Sequence, residues 1–218
     1  MNKTLLFLCV LMISSRVYAQ DIYIPDNNFR LALIKEGIDQ NGDGKIQEFE
    51  VFLVERLNVS GRNISSLEGI QYFLNLVDLD CSNNNLTKLD LSNNHPLQNL
   101  KCNMNKLTKL DLSQNGDLMN LNCSKNMLTS INLTKNKFLA KLACQENQLD
   151  SISISNNKNL NSFNCSSNKL SSLDISQNTK LKELNCDHNI IAKLLITAAQ
   201  QNGITIIKDD STAIEVIK

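Results

Sequence analysis

Leu97-Gln-Asn-Leu100-Lys-Cys102-Asn-Met-Asn105-Lys-Leu107-Thr-Lys-Leu110-Asp-Leu112-Ser-Gln-Asn115 is one period of a pattern that returns every 21 residues. Cysteine recurs at Cys81, Cys102, Cys123, Cys144, Cys165 and Cys186. Three residues after each stands Asn84, Asn105, Asn126, Asn147, Asn168 or Asn189. A fixed period in this range is the signature of a solenoid, in which each coil buries its apolar face against the next. Within the period, Leu100/Cys102 and Leu110/Leu112 are apolar pairs at i and i+2, the alternation of a strand with one face buried. The second-half pair returns as Leu89/Leu91, Ile131/Leu133, Ile152/Ile154, Leu173/Ile175 and Leu194/Ile196. Each half then turns at an asparagine, a residue that satisfies turn backbone and tolerates left-handed dihedrals. Ser92, Ser113, Thr134, Ser155, Ser176 and Thr197 form a further ladder.

The first half fits the leucine-rich repeat core, with cysteine at its third apolar position. From Leu57 onward the chain resembles bacterial leucine-rich repeat proteins. Its first coil, Leu57-Asn-Val59 followed by Ile64, Leu67 and Ile70, is similar to internalin-like repeats. The whole arrangement, with Ile24-Pro25-Asp26 and Phe29 ahead of it, resembles short-repeat exported proteins of Bacteroidota. The resemblance implies a leucine-rich repeat solenoid with parallel β strands on two faces of each 21-residue coil. Four segments are expected: a leader over 1–19, a helical cap over 20–56, repeats over 57–197, and a C-terminal cap over 198–218. In the last, 198–202 reads as a helical turn, and 204–207 and 213–217 as closing strands.

The leader is read from Lys3, the apolar run Leu5 to Ile13, and Val17-Tyr18-Ala19 before the expected cut. The run is too short to span a membrane. Secretion or periplasmic residence is expected, with the cell surface open. The chain has 22 basic and 22 acidic residues, and removing Lys3 and Arg16 leaves a net charge of about −2. Neither that balance nor an aromatic content of 5% without tryptophan suits nucleic acid, which calls for phosphate neutralisation and base stacking.

Six cysteines in an exported chain would ordinarily suggest disulfides. Stacked in register they stand about 4.8 Å apart, slightly beyond the usual Cβ separation of ~3.5–4.5 Å in a bridge. Free, core-filling thiols are therefore favoured over pairwise bridges.

Residues 39–50, Asp-Gln-Asn-Gly-Asp-Gly-Lys-Ile-Gln-Glu-Phe-Glu, fit the EF-hand loop. Asp39, Asn41, Asp43, the Lys45 carbonyl and Glu50 are the expected Ca2+ ligands, Gly44 makes the sharp turn, and Ile46 points to the core. Asp26 is expected to cap a helix carrying Phe29 and Leu33. A second helix with Phe49 and Phe52 should run toward Leu57. The alternative is a surface turn that binds nothing. EF-hands usually pair, and the sequence contains no second loop.

Enzymatic chemistry has little support. His95 lies in a turn, and His188 beside Asp187 would need a nucleophile where Cys186 should point inward. The first-half strands offer outward residues Asn99, Lys101, Asn120, Asn122, Lys141, Asn164 and Asn185, a polar face without aromatic or arginine anchors. Two functions remain open. One is an interaction scaffold for a protein or glycan, acting as a monomer; the other is a calcium-braced structural protein with no ligand of its own.

Overall fold

The structure, a computed structural model, describes residues 20–217; the expected leader over 1–19 lies outside the described residues. Two short helices come first, α1 (Asn27–Lys35) and α2 (Glu48–Val51). The strands follow in chain order. They are β1 (Arg56–Asn58), β2 (Asp78–Asp80), β3 (Asn99–Lys101), β4 (Asn120–Asn122), β5 (Lys141–Ala143), β6 (Ser162–Asn164), β7 (Ser172–Asp174), β8 (Glu183–Asn185), β9 (Lys193–Thr197), β10 (Thr205–Ile207) and β11 (Ala213–Ile217). The first-half strands β1 to β6, β8 and β10 form one eight-stranded parallel sheet. Its register advances by one coil per strand, so Leu79, Leu100, Leu121, Leu142, Phe163 and Leu184 stack as a single buried column. One apolar cluster runs from Ile22 to Ile196. This is the leucine-rich repeat solenoid expected from the period.

The six repeat cysteines are free and fully buried, next to the leucine column. Burial disfavours the thiolate, pushing the Cys123 thiol up to about 12 and Cys186 to about 11. The asparagine after each cysteine satisfies the turn that the core cannot hydrate. Asn126 donates through Nδ2 to the carbonyls of Cys102 (3.0 Å), Cys123 (3.1 Å) and Ser124 (3.2 Å), and its Oδ1 accepts from Leu107 N (3.0 Å). The ladder thus sews each coil to the one before it. A second ladder, Asn94, Asn115, Asn136, Asn157 and Asn178, donates through Nδ2 to carbonyls of the preceding coil on the other turn, while its buried Oδ1 atoms have no partner among the described residues; Asn136, for instance, reaches Leu112 O and Asn115 O. The left-handed residue of the first turn is the one before the ladder asparagine. Met104 (φ 56°), Lys125 (φ 54°) and Glu146 (φ 56°) occupy it. The ladder bonds fix the turn so firmly that the left-handed conformation is imposed on side chains with no preference for it.

The second face differs from two complete ladders. Parallel pairing there is confined to β7, β9 and β11, in the order β11-β9-β7. In earlier coils Leu91, Leu112 and Leu133 are buried as expected, but Asp90, Asp111 and Asn132 take the following amide of Ser92, Ser113 or Thr134 at 2.9–3.1 Å. The same local bond is present within β7, where Asp174 takes the amide of Ser176 (2.9 Å), so it does not by itself exclude pairing. At the equivalent place β9 carries Leu195, and its strand runs on for five residues.

Both ends are closed by side chains that imitate the missing coil. Asp26 caps α1 by accepting from Phe29 N through Oδ1 (3.0 Å), and its Oδ2 accepts from Ser65 N (2.7 Å) and Ser66 N (3.0 Å) of the first coil. Gly69 leaves room for the incoming N-terminal segment: a Cβ there would stand 2.8 Å from Ile24 Cγ1. At the other end, Gln200 is the last rung of the second ladder, donating to Ile175 O (2.8 Å) and Asn178 O (3.1 Å). Asp209 accepts from His188 N (2.9 Å) and Asn189 N (3.0 Å), and those bonds hold its carboxyl below the usual range.

Asn126→Ala would strip the buried Leu107 N of its partner and leave the Cys102 and Cys123 carbonyls with one donor each, Asn105 and Asn147. We expect a loss of about 3 kcal/mol, at roughly 1–3 kcal/mol per unsatisfied buried group, measurable by urea unfolding. Met104→Gly should act in the opposite direction, by up to ~1 kcal/mol. A thiol reagent at mildly alkaline pH should leave all six repeat cysteines unmodified in the folded chain and reach them after denaturation without reductant. Protection from the reagent after denaturation would reveal bridges.

Candidate functional site

Loop 39–50 is wound around its own carboxylates. Asp39 Oδ1 accepts from Gly42 N (2.8 Å) and Asp43 N (3.2 Å), and Oδ2 from Gly44 N (2.9 Å). Asn41 Oδ1 accepts from Asp43 N (2.9 Å), and Asp43 Oδ1 from Lys45 N (2.8 Å). Gly44, at φ 78°, makes the reversal. Glu50 is buried, and its carboxylate accepts from Gln40 N (2.8 Å), Asn41 N (3.3 Å) and Gln47 N (2.9 Å), which ties the end of the loop to its start. The Lys45 carbonyl accepts no hydrogen bond among the described residues. Its ammonium is drawn outward to Asp21 Oδ2 at 2.6 Å, a contact that lowers the Asp21 pKa and raises that of Lys45.

This donor set is oxygen-rich, hard and anionic, which suits calcium better than a transition metal. Among the described residues no three carboxylate, histidine or cysteine side chains are gathered as a ready-made metal centre. The acidic groups rest instead on backbone amides. Ile46 is buried in the core. A short antiparallel contact flanks the loop, with Ile22 N donating to Ile46 O (2.7 Å), Glu48 N to Gln20 O (3.3 Å), and Asp21 bridged to Gln47. The N-terminal segment thus lies beside the loop.

The helix after the loop is a correction. It is a single turn, Glu48–Val51, and buries Glu50 and Val51. Phe49 and Phe52 are each 55% exposed rather than packed toward Leu57. Burying the Glu50 carboxylate against loop amides turns those two rings to the outside.

The sheet face forms a groove of about 820 Å3 from Glu36 of the cap to Asn164. Asn99, Lys101, Asn120, Asn122, Lys141 and Asn164 line it, and Asn185 lies on the adjoining strand. No aromatic side chain lines the groove. Large exposed apolar side chains stand elsewhere; of these, Phe138 (57% exposed) and Met119 sit together on the flank, outside the predicted columns. Their positions precede the strands, so strand alternation gave no signal for them. His188 Nδ1 stands 3.1 Å from Asp187 Oδ2 at the surface, but Cys186 faces the core.

No protein-family model matches the sequence, and no curated protein aligns with it. Solved structures do. An internalin (InlF) of Listeria monocytogenes matches at 21% identity with a TM-score of 0.71, over 89% of this chain and 72% of that one. Internalin C2 of the same organism matches at 18% identity and a TM-score of 0.60, over 88% and 94%. A leucine-rich repeat protein of Leptospira interrogans gives 17% identity and 0.62, over 78% and 52%. The chain spans under two thirds of some such structures, including 63% of the functional domain of Listeria monocytogenes InlJ (21% identity, 92% of this chain, TM-score 0.44). The matches to InlF and internalin C2 establish an internalin-like leucine-rich repeat fold. No helix among the described residues is long and apolar enough to cross a membrane.

Replacing Glu50 by Ala should unpair three amides. We expect hydrogen exchange at Gln40, Asn41 and Gln47 to accelerate even without metal, and the cap to lose roughly 2–3 kcal/mol. Unchanged exchange at those amides would contradict the hydrogen-bond pattern.

Proposed function

We propose that this is an exported, calcium-braced leucine-rich repeat protein that acts as a monomeric, non-enzymatic interaction scaffold. A protein partner would lie across the eight-stranded sheet. The groove over six consecutive strands carries this reading, because it offers one continuous surface on a backbone fixed by two asparagine ladders. A glycan is less well served, since the groove has no ring on which a sugar could stack. In this reading Asp39, Asn41, Asp43, the Lys45 carbonyl and Glu50 hold Ca2+. The open Lys45 carbonyl and the amide-braced carboxylates support that role. The leader over 1–19 would direct the chain to the periplasm or outside the cell, possession of a surface anchor being a separate matter. One observation favours the runner-up, a structural envelope protein without a ligand: on the face, Arg56 and Lys101 already have acidic partners, Asp78 and Asp80.

In this reading calcium braces rather than switches: the loop lies between Asp26 and Leu57, ahead of the regular coils, and only differential affinity for two states could make a switch. Calorimetry should find one calcium site, lost in the Asp39→Ala/Glu50→Ala double variant. Absence of heat and of a thermal shift at ~10 mM calcium would sink it. At about 100 times its dissociation constant, calcium should stabilise the cap by roughly 2.7 kcal/mol. Hydrogen-exchange protection should be greatest over residues 26–75 and fade toward the C-terminus. Equal gains over 160–189 would overturn the clamp. For the scaffold itself, a captured envelope partner should shield the sheet face from hydroxyl-radical labelling and leave the opposite face labelled.

A further inference from the structure

The outward charges of the groove are settled in pairs, with one exception. Arg56 Nε lies 3.1 Å from Asp78 Oδ2, Lys101 Nζ 3.3 Å from Asp80 Oδ2, and Glu36 is engaged by Arg62 at 3.6 Å. Lys141, exposed on β5, has neither an ion pair nor a hydrogen bond for its ammonium among the described residues. It is the one cation lining the groove that is left uncompensated among those residues.

The neighbours of Lys141 are oriented by the fold. Lys141 stands in register between Asn120 and Ser162, and the outward column beside it, two residues along each strand, runs Asn122, Ala143, Asn164 on β4, β5 and β6. Asn122 Oδ1 accepts from Ser124 N (3.2 Å) and Ser124 Oγ (2.8 Å), and Asn164 Oδ1 from Ser166 N (3.1 Å) and Ser166 Oγ (2.9 Å). Both amide oxygens are therefore occupied, and each Nδ2 is left as a donor without a partner among the described residues. Ala143 between them is the shortest side chain in the column, which leaves a notch about 10 Å wide between the flanking strands, two strand spacings. Toward the cap the equivalent place between Asn58 and Lys101 holds Asp80, whose carboxylate bonds Lys101 and the Ser82 hydroxyl. At β5 alanine stands where that acid stands at β2.

We propose that the notch over Ala143 receives a carboxylate from an acidic side chain of a protein partner, held by Lys141 Nζ and the Nδ2 groups of Asn122 and Asn164. This deepens the scaffold reading and rests on it. The partner's acid would do at Lys141 what Asp80 does for Lys101 within the chain. One uncompensated positive charge matches one carboxylate, whereas a dianionic phosphate would leave excess negative charge near Glu183, two strands from Lys141 in the same column. Charge-assisted bonds to a carboxylate are stronger than neutral ones, so this contact would set register along an otherwise uniform groove.

The probe is the peptide acetyl-Ser-Gly-Ser-Glu-Ser-Gly-Ser-amide, with its Gln counterpart and a galacturonate oligomer as parallel arms, titrated into the isotope-labelled full chain. We expect the side-chain amide signals of Asn122 and Asn164 to shift with the Glu peptide alone. Lys141→Gln should weaken that binding at least about tenfold, the scale of one charge-assisted bond. Ala143→Glu, which supplies the carboxylate internally, should abolish it, with the thermal midpoint of both variants unchanged. Equal shifts from the Gln peptide, or none from the Glu peptide, would overturn the notch. Shifts from galacturonate with the Glu peptide silent would overturn the protein source. A partner that still shields the whole sheet face and binds the Lys141→Gln chain equally well would sink the notch and leave the scaffold reading intact.

Discussion

Everything in this molecule depends on the buried turn amides finding partners in the neighbouring coil. A coil of 21 residues cannot close on itself without carrying backbone groups into the core, where an unpaired one costs about 1–3 kcal/mol. The asparagine after each cysteine removes that cost. One amide spans two coils, as Asn126 does by reaching Cys102 O, Cys123 O and Leu107 N. Only a residue with a donor and an acceptor on a short stem can do this. The cysteine three residues earlier must then be small and apolar, because the column of first-half strands leaves little room beside the turn. Free cysteine meets that requirement without chemistry of its own, its thiolate being strongly disfavoured by burial.

The same requirement explains the ends. A ladder that always borrows from the next coil leaves its last member without a lender, and the chain supplies substitutes one at a time. Gln200 stands in for an asparagine, and Asp209 takes the two amides at His188 and Asn189 that a further coil would have accepted. At the start, Asp26 caps α1 with one oxygen and the first coil with the other. Loop 39–50 lies just beyond that joint. Its buried Glu50 ties loop and helix together, which places any metal-linked stability at the point where the solenoid meets its cap.

The period made the sheet legible, since exact recurrence of leucine, cysteine and asparagine constrains register, burial and turn at once. The loop was legible as a spacing of oxygen-bearing residues, and Asp26 as a cap. What could not be read is set by contacts between distant segments. Nothing local shows that the second oxygen of Asp26 meets Ser65 and Ser66. Nor does it show that Gln20 to Ile22 lie along the loop. The sequence places Phe49 and Phe52 in a second helix running toward Leu57, but that helix is one turn, with Glu50 buried in the loop and both rings exposed. The second face looked like strand because its apolar alternation is right. In the coils of Asp90 and Asp111 no such pairing forms, although Leu91 and Leu112 are buried there too, and no local bond accounts for the difference, since Asp174 makes the same one within β7.

An outward position on this sheet carries no structural duty, so its chemistry is free to vary from coil to coil while the inward positions cannot. The column through Asn58, Asp80, Lys101, Asn122, Ala143 and Asn164 varies accordingly, beside a leucine column that changes only once, at Phe163. Yet those outward asparagines are not loose. Serine two residues on fixes each amide oxygen, in Asn58, Asn122 and Asn164 alike, so the donor direction is decided by the turn and not by a ligand. Preorganised donors lose less entropy on binding than free ones. A face without aromatic anchors can then gain selectivity from the order of its polar groups along the sheet, and Lys141 is where that order departs from internal pairing.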